Sequence, residues 1–150
     1  MQIPTSTGPF VAVATFCERV LREADNVVSI LRVVDQLNVN ARGPEAPDDM
    51  PPVPTNLNIA IILRRGTARG RHRLRVRPEA PGGEQRNVVI DEYVTLAGDE
   101  EAGANVMIDF SGFPVDREGL WWFDVLFGDS ETLLARIPLR VNYLPQRQPG

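Results

Sequence analysis

The run Arg71-His72-Arg73-Leu74-Arg75-Val76-Arg77 alternates strictly between charged positions and His, Leu or Val. A strand sends successive side chains to opposite faces. In that geometry Leu74 and Val76 point inward, His72 starts the same side, and four guanidinium groups form one outward row. The same period of two appears near the C-terminal end. Leu133, Ala135, Ile137, Leu139, Val141 and Tyr143 share one parity, opposed by Leu134, Arg136, Pro138, Arg140 and Asn142. In the segment before it, Trp121, Phe123, Val125 and Phe127 share one face, and Leu120, Trp122, Asp124 and Leu126 the other. The odd-numbered sets are the expected core. Matching these core faces across a hairpin without a bulge requires an odd loop. Three residues would set Trp122 opposite Arg136, and five would set Asp124 there, giving a cation–π or an ionic pair.

Further strands are predicted over Phe10 to Cys17, Val27 to Leu37, Leu57 to Leu63, Val88 to Leu96 and Asn105 to Phe110. The turn Glu23-Ala24-Asp25-Asn26 separates the first two, because Asp and Asn bond nearby backbone and tolerate the left-handed region. One long helix over Thr15 to Leu37 is the rival, opposed by the β-branched density of Val27-Val28, Ile30 and Val33-Val34. A short helix over Glu18 to Glu23 is an alternative. Residues 38–56 carry five prolines and read as a long loop or a crossover between sheets, not as a core element. Gly and Pro clusters mark turns at Gly66 to Gly70, Pro78 to Glu84 and Gly112 to Glu118, and Ala97 to Gly103 is an acidic loop containing Asp99-Glu100-Glu101. The tail from Pro145 to Gly150 is expected to be mobile. Short strands between turn signals predict an all-β fold, a single two-sheet β-sandwich domain over 1–150 of immunoglobulin-like or C2-like type, with about eight strands.

Several segments together resemble a bacterial family of small β-sandwich proteins of unknown function. They are Phe16-Cys17-Glu18, the stretch Asp25-Asn26-Val27-Val28-Ser29-Ile30 leading to Asp35, Gly70 through Val76, Gly119 through Val125, and Ile137 through Val141. Such proteins usually have Gly where Asn26 or Val27 stands here. The resemblance implies the sandwich fold and supplies no activity.

Composition narrows the chemistry. At 150 residues the chain is long enough to bury a full core. Its one cysteine, Cys17, has no internal partner, which fits a reducing compartment. The apolar run Phe10 to Phe16 is too short for a signal peptide core or a membrane span, so the cytoplasm is the expected location. The 16 basic residues are all arginine, and the net charge is −4. That balance disfavours a general nucleic-acid binder, which carries a basic face.

No constellation of residues points to catalysis. His72 is the only histidine, and a base needs a nucleophile or carboxylate within reach. Cys17 in an apolar strand reads as a small buried hydrophobe. Asp48, Asp49, Asp99, Glu100 and Glu101 lack the spaced pattern of a calcium loop. No metal or cofactor is expected.

Two binding surfaces remain. Arg71, Arg73, Arg75 and Arg77 stand about 7 Å apart, repel by only about 0.6 kcal/mol in water, and pair either with acids such as Asp91 or Asp109 or with an anionic ligand. Leu120, Trp122, Leu126 and Leu134, with Arg136 and Arg140, form an outward apolar set that either the 38–56 loop or another chain covers. The leading expectation is a non-catalytic module that binds a protein partner or assembles with itself through this hairpin. The alternative is an anion or nucleic-acid binding module using the arginine row.

Overall fold

The computed structural model describes residues 8–25, 27–43, 45–99 and 102–146. Twelve strands run in chain order: β1 (Phe10–Arg22), β2 (Val28–Val34), β3 (Gln36–Arg42), β4 (Val53–Pro54), β5 (Asn58–Arg64), β6 (Gly70–Ala80), β7 (Glu84–Gln85), β8 (Ile90–Leu96), β9 (Gly103–Asp109), β10 (Pro114–Val115), β11 (Gly119–Phe127) and β12 (Thr132–Gln146). Among the described residues there is no helix, so none is long and apolar enough to cross a membrane.

The strands form a four-stranded sheet in the order β2-β1-β5-β9, a six-stranded sheet in the order β3-β12-β11-β6-β7 with β8 also on β6, and a two-stranded sheet β10-β4. The expected count of about eight strands in two sheets is therefore corrected. Eight predicted segments are present as β1, β2, β5, β6, β8, β9, β11 and β12. The additions are the two-residue pieces β4, β7 and β10, and β3, which starts at the end of the predicted Val27 to Leu37 strand and runs into the proline-rich stretch. β3 escaped notice because Gln36-Leu37-Asn38-Val39-Asn40 is only half apolar. It sits at the sheet edge, pairing in parallel with β12 alone, and edge strands need bury only one side. The helix alternative over 18–23 is also excluded, since β1 continues to Arg22.

Inward-facing residues of the two larger sheets share one hydrophobic cluster. Phe16, Ile59, Ile61 and Leu63 come from the four-stranded sheet, and Leu74, Val76, Trp121, Phe123, Leu139 and Val141 from the six-stranded one. Phe16 meets Phe123 edge-on at 4.9 Å between centroids, and Phe110 does so at 5.3 Å. Trp121 is fully buried yet satisfied, because its indole N–H donates to the Arg117 carbonyl at 2.9 Å. The proline-rich stretch closes one end of this core. Val39 and Ala46 are buried, Met50 and Val53 pack against the cluster, and the Tyr143 hydroxyl donates to the Pro47 carbonyl at 2.6 Å.

The β1–β2 turn closes through Glu23 N–H donating to the Val27 carbonyl at 2.8 Å, with the Asp25 carboxylate accepting from Val27 N–H at 3.2 Å. Asn26, Pro44, Glu100, Glu101 and 147–150 lie outside the described residues, and with them the expectations for Asn26, for the acidic pair and for most of the tail. Pro145 belongs to β12.

Candidate functional site

The outer face of the six-stranded sheet holds both of the surfaces singled out in the sequence. β11 and β12 are joined by the four residues Gly128 to Glu131, an even loop, and the register shifts by one between Val125 and Leu126. The extra residue lies on β12, where Ala135 pairs with Val125 and Leu133 with Leu126. This bulge reconciles an even loop with matched core faces. It also corrects the expected core set. Ile137, Leu139, Val141 and Tyr143 are buried, but Leu133 is 52% exposed, and Leu134 instead packs against the core.

The register sets Asp124 opposite Arg136 on one side and Arg77 on the other. Arg136 satisfies both pairings that the sequence allowed. Its Nε donates to Asp124 at 2.7 Å, its Nη2 donates to Glu79 at 2.6 Å, and its guanidinium lies 4.8 Å from the centre of the Trp122 ring. The bonds to Asp124 and Glu79 raise the Arg136 pKa above its ordinary value. Trp122 is thus half-buried beneath an arginine that two carboxylates hold in place. Leu126 is only 2% exposed, so it offers no patch to a partner. Leu120 is half-buried, and Arg140, opposite it, has no carboxylate partner among the described residues.

The arginine row is consumed in the same way. Arg73 is bonded to Asp91 through both Nε and Nη2, the latter contact being short. The bond to Asp91 raises the Arg73 pKa, and reciprocally Arg73 lowers that of Asp91. Arg75 donates to the Gly128 carbonyl at 2.9 Å and lies 3.1 Å from Glu131, which also faces Arg77 at 3.7 Å. Arg71 stacks over Tyr93 at 4.1 Å. Asp91 therefore pairs as expected. Asp109 does not, because it sits on β9 in the other sheet, where the Ser111 hydroxyl and then the Ser111 N–H, 2.9 Å away, lower its pKa.

The outer face of the four-stranded sheet is built differently. Pairing aligns Val33 with Cys17 and Cys17 with Asn58, Thr15 with Ala60 and Ala60 with Met107, and Val13 with Ile62. These residues have the opposite parity to Phe16, Ile59 and Ile61, so they face away from the core. Val33 is 64% exposed, Met107 41% and Leu31 40%, while Val13, Leu21 and Ile62 are half-buried. Two cations flank this apolar surface, Arg19 across from Leu31 and Arg64 at the far end of β5. Both are exposed, and neither has a carboxylate partner among the described residues. Cys17 lies within the face yet is fully covered, and desolvation pushes its thiol pKa up. Sequence reading missed this surface. Its available signal was the unbroken run Ile59-Ala60-Ile61-Ile62-Leu63, since a strand apolar on both parities needs cover on both faces.

His72 lies on the inward parity. Its ring lies against Phe127 with centroids 4.8 Å apart and the planes tilted, and its Nε2 lies 2.6 Å from the Arg69 carbonyl. A carbonyl only accepts, so Nε2 carries the proton. Asp48 and Asp49 line a cleft with Asp116 and Glu118, and no three His, Cys, Asp or Glu side chains among the described residues are arranged to hold a metal ion. Arg65, unremarked in the sequence, is buried and bonds the Gly98 and Gly66 carbonyls at 3.1 and 2.6 Å, tying the β5–β6 turn to the β8–β9 loop.

Residues 12–142 match the model of a family of unknown function, DUF6941. The chain belongs to that family. The match takes in all of β2 through β11, most of β1 and β12, and both outer faces described above. No curated protein sequence matches the chain significantly.

Proposed function

We propose that this protein is a non-catalytic β-sandwich module that binds another protein through the outer face of its four-stranded sheet. The observation that carries the reading is the combination on that face of exposed Leu31, Val33 and Met107 with the unpaired cations Arg19 and Arg64. Apolar burial supplies the attraction, and uncommitted arginines at the rim select the partner's charge.

The partner is a different protein with an apolar centre and flanking carboxylates. A second copy of this chain fits less well, because it presents the same two cations at the ends of the same apolar strip. Among the described residues, each copy sets two cations on this face against a single carboxylate, Asp109 in the Cys17–Asn58 row, and that carboxylate already accepts from Ser111 N–H, so stacking two copies leaves arginines unpaired. The hairpin residues Trp122 and Arg136 are already spent on each other and on Asp124 and Glu79, so they contribute little to docking.

Val33→Asp tests this reading. The residue is exposed on an edge strand, so stability should change by no more than about 0.5 kcal/mol. Pull-down from the native host should lose a partner that wild type retains at low salt and releases at high salt. Trp122→Ala should retain it. A partner lost with Trp122→Ala but kept with Val33→Asp moves docking to the hairpin and overturns the proposal. Concentration-dependent self-association abolished by Val33→Asp would replace the partner by a second copy.

A further inference from the structure

A cleft of about 680 Å³ opens at the end of the fold where the β11–β12 loop, the β5–β6 turn and the start of β1 meet. Its volume lies within the range of small-molecule sites. Its rim meets the outer face of the four-stranded sheet at Phe10, which stands opposite Arg64, but the cleft lies beyond the Leu31–Val33–Met107 surface.

The floor is aromatic. Phe127 is nearly buried, and the His72 ring lies against it with the planes tilted by 35°. Leu134 lines the cleft because the β12 bulge turned it off the outer face, and Phe10, 45% exposed, forms a rim. The bond from His72 to the Arg69 carbonyl fixes the imidazole in place, and in the neutral ring it leaves Nδ1 as an acceptor.

The polar side of the cleft favours one sign of charge. Among the described lining residues Asp129 is the only Asp, Glu or Arg. Asp129 has no ion pair or hydrogen bond among the described residues. Arg73 feels its charge, but that guanidinium spends its bonds on Asp91. The neighbouring hydroxyls of Ser130 and Thr132 lie 3.2 Å apart and offer further acceptors. The absence of arginine among the described lining residues disfavours an anionic ligand.

We propose that the cleft binds small aromatic ammonium compounds, with the ring on the His72–Phe127 floor and the ammonium at Asp129. A charge-assisted bond to a carboxylate gives orientation, and ring stacking gives area.

Ligand-observed saturation-transfer NMR, with amide correlation spectra of the 15N-labelled protein, tests this at pH 8 using 2-phenylethylammonium and its charge-reversed counterpart 3-phenylpropanoate. The ammonium probe should bind at least ten-fold more tightly, and it should shift the backbone amides of residues 127–134. Asp129→Asn lies on an exposed loop and should weaken the ammonium probe several-fold without changing the melting temperature. Phe10→Ala should weaken it as well. Equal binding of the two probes, shifts confined to another part of the fold, or full affinity in Asp129→Asn would each overturn the assignment.

Discussion

The two outer faces of this protein solve the same problem in opposite ways. Each must present the side of a sheet that the core does not need. The six-stranded sheet covers it with arginines, and almost every one is answered nearby: Arg73 by Asp91, Arg75 and Arg77 by Glu131, Arg136 by Asp124 and Glu79, and Arg71 by the Tyr93 ring. The four-stranded sheet covers it with Val, Leu, Ile and Met, and leaves its two flanking arginines without carboxylates. A conspicuous charge pattern is therefore a poor guide to an open binding site. Charges dense enough to stand out in a sequence are dense enough to pair with one another once folded.

The contrast breaks first at Asp124. Its side chain is only 8% exposed and accepts from Arg136. Asp124→Ala removes a charge-assisted bond and leaves two arginines facing each other across β11, at an expected cost of about 2 kcal/mol. Urea unfolding measures it, and a loss below about 0.5 kcal/mol would mean the face is not internally stapled. Trp122→Ala should cost about 1 kcal/mol through the lost cation–π contact. If calorimetry shows no change in stability while association falls, Trp122 serves a partner rather than its own sheet.

The smallest effect concerns acid. Arg73 depresses the Asp91 pKa, so this pair adds stability above the ordinary Asp value near 3.8 and loses it as pH falls through the lowered folded value. Wild type should therefore melt above Asp91→Asn at pH 7, and the gap should narrow as pH falls below the ordinary Asp value. A gap that stays constant on acidification would mean the residue acts through packing.

Much of the fold was legible because period-two alternation survives wherever one sheet face is dry. Leu74, Val76, Trp121, Phe123 and Val125 all lie in the core as their parity requires. Parity failed at Leu133 and Leu134, where one inserted residue inverts every side chain beyond it, and no local signal announces a bulge. The candidate surfaces were less legible. Whether Leu126 is exposed depends on its neighbours in register, Arg75 and Leu133, and those come from segments far apart in the chain. The aromatic floor beneath His72 depends likewise on Phe127, 55 positions later.

The parallel pairing of β3 with β12 also bears on how the chain reaches its fold. Residues 36–42 must wait for residues 140–146, about a hundred positions downstream, before their ladder bonds exist. Closing so long a loop late in synthesis is slow relative to local pairing. Until then β3, with Leu37 and Val39, has no strand partner, although β2 just before it is already paired with β1, and an unpaired strand is the kind of segment that seeds aggregation or recruits a chaperone. A ribosome stalled before Thr132 would thus carry a chain lacking the strand that joins β3 to β11, and its hazard would lie near the N-terminal end although the missing piece lies at the other.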